Sequence, residues 1–227
     1  MLQQTQVDRV IQYYHRWTTK WPHVVDLARA DRREVLQEWM GLGYNNRAIN
    51  IHKAAQKIIE SYNGDVIAAM KNYKDIPGVG PYISHAVRIF SGNEDTVTVD
   101  TNIRRILIHE FHLHKKISDN ELWDIAEHCL PKGKSRDWHN ALMDYGATLL
   151  TSRKTGIRPK TQQSPFEGSD RQIRAQIIRH LLNNVSVEFS EICSRFSIEK
   201  NRLDKIIYSL IKDGLVFRDK EVIRLKV

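Results

Sequence analysis

Residues 73–107 read YKDIPGVGPYISHAVRIFSGNEDTVTVDTNIRRIL, and two features of this stretch decide how the chain is interpreted. The first is the apolar corner Ile76-Pro77-Gly78-Val79-Gly80-Pro81, set between two helical patterns. Glycine adopts backbone conformations closed to other residues and lets a second surface approach closely. Pro81 sits where a helix begins, a position that needs no N–H. A helix starting there aims free N–H groups and the positive end of its dipole outward, which suits phosphate. The second feature is Asp100, a lone carboxylate in the uncharged run VTVDTN, just ahead of a basic helical pattern from Ile103. A phosphate clamp therefore lies close in sequence to a candidate catalytic acid.

Composition bounds what surrounds this stretch. A length of 227 residues allows one large or two modest domains. Hydrophobic residues at 41% and charged residues at 27% fit a globular protein with a sizeable core. No apolar run is long enough to span a membrane and no signal-peptide pattern occurs, so the expected location is the cytoplasm, on the nucleoid, or the nucleus. Cys129 and Cys193 stand far apart, with no CxxC. Two cysteines exclude a disulfide framework and a four-cysteine metal or iron–sulfur site. The net charge of +8 is spread over both halves of the chain rather than held in a tail. That distribution fits a surface for a polyanion, because Lys and Arg that neutralise phosphates supply most non-specific DNA affinity.

Taken in order, residues 5–17 read as a helix with Val7, Val10, Ile11 and Tyr14 at helical spacing. A short helix begins at Val24. Asp31 with Glu34 three residues on forms a capping-box-like start to a third, which Gly41-Leu42-Gly43-Tyr44 interrupts. A long helix follows over 46–62, with Ile51, Ala55, Ile58, Ile59 and Tyr62 as its apolar stripe, ended by Asn63-Gly64. Helical patterns continue over 65–73, 81–90, 103–111, 119–129 and 138–150. The one alternating segment is the short TVTV before Asp100, so the first domain, residues 1–155, is expected to be all-α.

Residues 151–169 lose periodicity and fill with Gly, Pro, Ser and Gln, which marks a linker over 156–168. Beyond it, three helical patterns precede LVFRDKEVIRLKV, two short strands around Asp219-Lys220. Three helices and a hairpin over 169–227 give a small winged-helix-like domain, a variant of the helix-turn-helix. Its Lys200, Arg202, Lys205, Lys212, Arg218, Lys220, Arg224 and Lys226 could meet phosphates. The other reading of this module is a packing role against the first domain or a protein.

Over the first 155 residues the sequence resembles the helix-hairpin-helix (HhH-GPD) DNA glycosylases of the endonuclease III superfamily, and within it the MutY-type A/G-specific adenine glycosylases. The resemblance is carried by MLQQTQV at 1–7, GLGY at 41–44 with Arg47, HKAA at 52–55, PGVG at 77–80, VDTN at 99–102 and NALMDYGA at 140–147. It implies an all-α, two-lobed fold that binds double-stranded DNA holding a mismatch or an oxidised guanine, acts as a monomer and needs no membrane. One nucleotide is flipped out, as chemistry on a stacked base requires. It makes Asp100 similar to the family's essential aspartate, which stabilises the oxocarbenium-like charge on the sugar; as a residue alone, Asp100 also suits a helix N-cap. Asn102 resembles a neighbour that positions Asp100 or the phosphate. Tyr82 stands where strand-nicking relatives carry a Schiff-base lysine, so the resemblance implies a monofunctional enzyme. Gln3, Gln4, Thr5, Tyr44 and Arg47 fall on the segments that contact DNA around the mismatch, with an aromatic wedge replacing lost stacking. Pro77, Gly78, Val79, Gly80 and Tyr82 fall on the hairpin that meets the backbone and can seat a monovalent cation.

Three departures shape the expectation. The family's general-acid Glu precedes the MLQQ segment, and this sequence starts at Met1, so either an N-terminal segment is lacking or the activity is altered. TSRKTGIRPKTQQ stands in place of the four cluster cysteines, so no iron–sulfur cofactor is expected. The winged-helix-like module replaces MutY's reader of oxidised guanine, and Asn140 is shorter than the family's Glu or Gln. The expected function is removal of adenine opposite 8-oxoguanine or guanine. Two alternatives stand beside it: a thymine or uracil glycosylase for G·T and G·U, and a catalytically impaired damage-binding protein. The histidines, including HEFHLH at 109–114, lack zinc-site spacing, and no metal site is expected.

Overall fold

Apolar residues at helical spacing, punctuated by capping Asp and Ser and by residues that accept a left-handed backbone, make most of the chain helical. The computed structural model describes residues 1–2, 5–160 and 164–226. The chain begins with α1 (Val7–Lys20), α2 (Val24–Arg29), α3 (Arg32–Trp39) and α4 (Asn46–Tyr62). Asp31 caps α3 as expected, accepting from the N–H groups of Arg33 and Glu34, and Asn63 ends α4 at φ 49°. The buried face of α1 is turned from the expected one. Val10 and Trp17 are buried, whereas Val7, Ile11 and Tyr14 are exposed. The Trp17 indole sets that orientation, meeting Trp21 and Trp39 edge-on at ring distances of 4.8 and 5.5 Å. In α4, likewise, Ile51 is exposed and His52 is buried.

The next stretch folds as a unit of its own, Asp65–Gln163. It comprises α5 (Val66–Lys71), a 3-10 turn (Tyr73–Asp75), α6 (Pro81–Gly92), α7 (Thr101–Glu110), α8 (Asp119–Cys129), α9 (Ser135–Thr148) and the short α10 (Ser152–Thr155). Asp65 caps α5 through Ala68 N–H, and Ser118 with Glu121 forms a capping box on α8. Val97, Ile103, Leu107, Ile108, Leu122, Ala126 and Ile157 form its core. Residues 96–100, with the TVTV alternation, join neither strand nor helix. Val97 and Thr98 are nevertheless wholly buried.

The last segment holds α11 (Asp170–Asn183), β1 (Val187–Glu188), α12 (Phe189–Phe196), α13 (Lys200–Lys212), β2 (Val216–Asp219) and β3 (Val222–Leu225). The strands form an antiparallel sheet in the order β1-β3-β2, with Val216 opposite Leu225. This is the winged-helix order, with β1 as a strand that periodicity did not indicate. Contacts join Ser164–Val227 to Met1–Gly64 in one unit, so the chain divides at Gly64 as well as within the 156–168 linker. Leu36 and Ile49 share a single apolar cluster with Ile177, Ile178, Leu203 and Leu210. Arg33 Nη2 donates to Leu181 O (3.1 Å) and Leu182 O (2.5 Å), and Arg32 Nη2 donates to Gly214 O. These acceptors include carbonyls at the ends of α11 and α13, which lack helical partners. The module is thus fastened to the N-terminal helices. Among its basic residues, Arg202 pairs with Asp170, and Arg218 with Asp204 and Glu221.

Removing the charged donor that serves two carbonyls has a defined cost. Arg33→Ala should lower unfolding stability by about 2 kcal/mol in a urea melt. Arg179→Ala, at an exposed position, should leave the melt unchanged.

Candidate active site

The corner between α5 and α6 is built as its glycines require. Ile76 is buried and anchors it, and Val79 N–H donates to Ile76 O (3.2 Å). Gly78 sits at φ 74°, a left-handed conformation that a side chain strains. Gly80 caps α6, Pro81 takes the first helical position, and the first helical bond runs from Ser84 N–H to Gly80 O (3.0 Å). The N–H groups of Tyr82 and Ile83 therefore have no helical acceptor. A Cβ on Gly80 would meet nothing within 4 Å, so the space before the helix end is open. Buried Ser84 donates through Oγ to Met70 O (2.7 Å) and pins α6 to α5.

Asp100 caps α7: its Oδ1 accepts from Ile103 N–H at 2.7 Å, and Oδ2 has no hydrogen bond among the described residues. One oxygen is thus anchored and the other is available. The Tyr82 phenol is pushed up, first by burial and then by the Asp100 charge, so it stays protonated at neutral pH. Thr98 Oγ1 lies 3.5 Å from Tyr82 O, which ties the segment before Asp100 to α6.

Asn102 is held by a buried arginine. Arg105, 5% exposed, donates through Nη2 to Asn102 Oδ1 and Gly146 O and through Nε to Leu150 O, each at 2.6 Å. Burial pushes the Arg105 guanidinium down and the Asp100 charge opposes this. Gly146 lets α9 close on α7, since a Cβ there would stand 2.8 Å from Asn102 Cβ and 3.2 Å from Ile106 Cδ1. Neither Arg105 nor Gly146 was among the residues singled out from sequence. A lone arginine pair in the apolar run IRRILI is the signal that was present.

The remaining candidates lie in the other unit. Thr5 Oγ1 donates to Leu42 O (3.3 Å). Tyr44 is 42% exposed at φ 49°. The Arg47 guanidinium sits 5.2 Å from the Trp39 ring centre and 5.7 Å from that of Tyr44. It also donates to Leu42 O and Gly43 O, and Trp39 Nε1 donates to Gly43 O (3.0 Å). The GLGY turn is therefore braced from below, with the Tyr44 ring outward. Gly41, at φ 108°, admits the Tyr13 hydroxyl 2.1 Å from where a Cβ would stand. Gln3 and Gln4 lie outside the described residues. Asn140 is exposed, while His139 beside it is fully buried. Among the described residues, no three His, Cys, Asp or Glu side chains gather as a metal site.

The family described as "HhH-GPD superfamily base excision DNA repair protein" matches residues 1–132, more than half of the chain. The chain belongs to the HhH-GPD superfamily. The adenine DNA glycosylase of Rattus norvegicus is 36% identical over 159 residues, 68% of this chain and 31% of that protein. The chain therefore spans about a third of the length of this relative. The adenine DNA glycosylase of Mycolicibacterium smegmatis is 30% identical over 237 residues, 95% of this chain and 81% of that protein. A solved thermostable thymine-DNA glycosylase aligns with TM-score 0.62 and 29% identity, over 68% of this chain and 73% of that one. The helical HhH-GPD fold expected from the hairpin and the capped Asp100 is the fold observed. The family match ends at residue 132, before α9 brings Gly146 and His139 against the segment around Asp100.

The α7–α9 contact gives a test of this packing. Gly146→Ala should cost about 1–3 kcal/mol in thermal unfolding, because the added methyl meets backbone-attached Asn102 Cβ rather than a flexible side-chain end.

Proposed function

We propose that this chain is a monofunctional DNA glycosylase of base excision repair, a hydrolase of N-glycosyl bonds that leaves an abasic site. The observation that carries the reading is Asp100. Its carboxylate is fixed through one oxygen to the start of α7, with the other oxygen unengaged, in the same unit as an open helix N-terminus. Breaking a glycosidic bond builds positive charge on the sugar, and a fixed carboxylate stabilises it without reorganising. The α6 N-terminus and its glycine corner suit a phosphate of the same strand, with a monovalent cation held by the hairpin. A surplus of eight positive charges favours DNA as the partner. A phenol at Tyr82 forms no imine, so the strand is left uncut.

For the base, adenine opposite 8-oxoguanine or guanine is the first reading. Its supports are the identity to adenine DNA glycosylases and Tyr44, an exposed aromatic on a braced turn fit to fill a gap in the stack. The likeness to a thymine-DNA glycosylase favours a second reading, thymine or uracil opposite guanine, bases that leave as anions without protonation. The reading includes no iron–sulfur cluster, because two cysteines cannot hold one. It places the protein wherever the genome is, acting as a monomer.

Duplexes carrying 8-oxoG·A, G·A, G·T and G·U, treated with alkali after incubation, distinguish these readings. Cleavage of the adenine strand is expected; product from G·T and G·U alone would replace adenine with the second reading. Binding without product on any duplex would make the chain a damage-binding protein. Asp100→Asn should lower excision about a thousandfold or more while duplex affinity holds. Borohydride should trap no covalent complex, and a trapped complex would overturn the monofunctional assignment.

A further inference from the structure

The segment that delivers Asp100 crosses the interior of its unit outside any strand or helix, and side chains from two helices satisfy its backbone. From α6, His85 Nδ1 lies 2.8 Å from both Val97 O and Thr96 Oγ1. From α9, Ser135 Oγ donates to Thr96 O (2.8 Å), and His139 Nε2 accepts from Thr98 N–H (3.1 Å). His139 is wholly buried, and its Nδ1 lies 2.7 Å from Ser135 O. A carbonyl can only accept and an amide N–H can only donate, so the proton is on Nδ1 and Nε2 is bare. The opposite tautomer would leave both neighbours unpaired.

We propose that neutral His139 is a positioning residue for the glycosylase reaction: by accepting Thr98 N–H it fixes the segment that presents the Asp100 carboxylate. The proposal rests on the assignment of Asp100 to catalysis. A 1 Å misplacement of a reacting group is enough to cost about a hundredfold in rate, and Asp100 is two residues from the clamped amide. A second proton on His139 would set N–H against N–H and expel Thr98. Burial opposes that proton and the Asp100 charge favours it, with the net result below the ordinary imidazole value. The other faces of the ring meet Phe90 of α6 and Trp138 of α9, both uncharged. The unfolded chain takes up a proton that the folded site refuses, so stability should fall as pH drops below about 6.5, and the rate should fall at lower pH, where the folded site itself takes up the proton. His85, facing Trp123 with Arg88 and Glu127 nearby, keeps its Nδ1–H for Val97 O when protonated and does not break its own bond.

Single-turnover excision and duplex affinity, measured from pH 5 to 8 on the duplexes above, test this with His139→Leu and His139→Gln. Glutamine offers an amide oxygen near the place of Nε2 but no titration. The leucine variant should lose about a hundredfold in rate with affinity unchanged. The glutamine variant should recover most of the rate and lose the acid limb seen in the parent. A folded leucine variant with undiminished rate, a glutamine variant as slow as leucine, or an acid limb that survives in it would overturn the proposal. Exchange of the Thr98 amide, followed by NMR, reports on the clamp without catalysis. It should be slow in the parent and the glutamine variant and faster in the leucine variant; rapid exchange in the parent would sink the clamp. If the parent is inactive, or Asp100→Asn excises undiminished, the catalytic reading fails and the positioning role fails with it. Thr98 exchange then decides whether the clamp itself exists.

Discussion

A backbone that runs through a protein interior outside any regular element must still pair its N–H and C=O groups, because each one left unpaired costs free energy comparable to a lost hydrogen bond. Much of the second unit follows from meeting that demand at residues 96–98. Two histidines and a serine supply pairing that a neighbouring strand would otherwise provide. The irregular path then turns into α7 at Asp100, whose carboxylate is the helix cap and, under the proposed function, the reactive group. Cap and catalyst are compatible because a carboxylate has two oxygens and the cap takes one.

A second arrangement repeats this logic in the adjoining turn. Arg105 is buried with no carboxylate in ion-pair contact among the described residues, and it donates to two backbone carbonyls and the Asn102 amide. A buried cation hydrogen-bonded to neutral acceptors fixes geometry more than it adds stability. It orients Asn102 from behind and draws the C-terminal part of α9 and Leu150 onto α7, an approach open only because residue 146 has no side chain. Asn102 on α7 is thus held by a group beneath it, as Asp100 is held by the helix it caps.

The parts of this site that were legible in the sequence are those written in local code. Pro-Gly-Val-Gly-Pro specifies a corner and a helix start, and an Asp three residues ahead of an apolar helical run specifies a cap. The module after residue 169 could be read from periodicity and a hairpin signal. What escaped depended on distance along the chain. Thr98 and His139 are 41 residues apart, as are Arg105 and Gly146, and no periodicity links such pairs. The TVTV alternation has the pattern of a half-buried strand, yet helices flank it on both sides and the described residues of its unit hold no strand to pair with it. The apolar stripe of α1 was misplaced for a related reason: three tryptophans from α1, its following turn and α3 set the packing, and indole size outweighed the aliphatic spacing.

The shared core of the N-terminal helices and the C-terminal module has a consequence for the order of assembly. The unit bearing Asp100 is continuous in sequence, whereas its neighbour is made from two pieces separated by that whole unit. During synthesis the continuous unit can close as soon as its helices emerge. Leu36, Ile49 and their neighbours must wait for Ile177, Leu203 and Leu210 before their cluster is complete. A long loop closure of this kind slows folding far more than it weakens the product. The half-chain that carries the aromatic turn at Tyr44 is therefore the last to become native, and apolar surface on α3 and α4 stays open to misassembly until the final strand is in place.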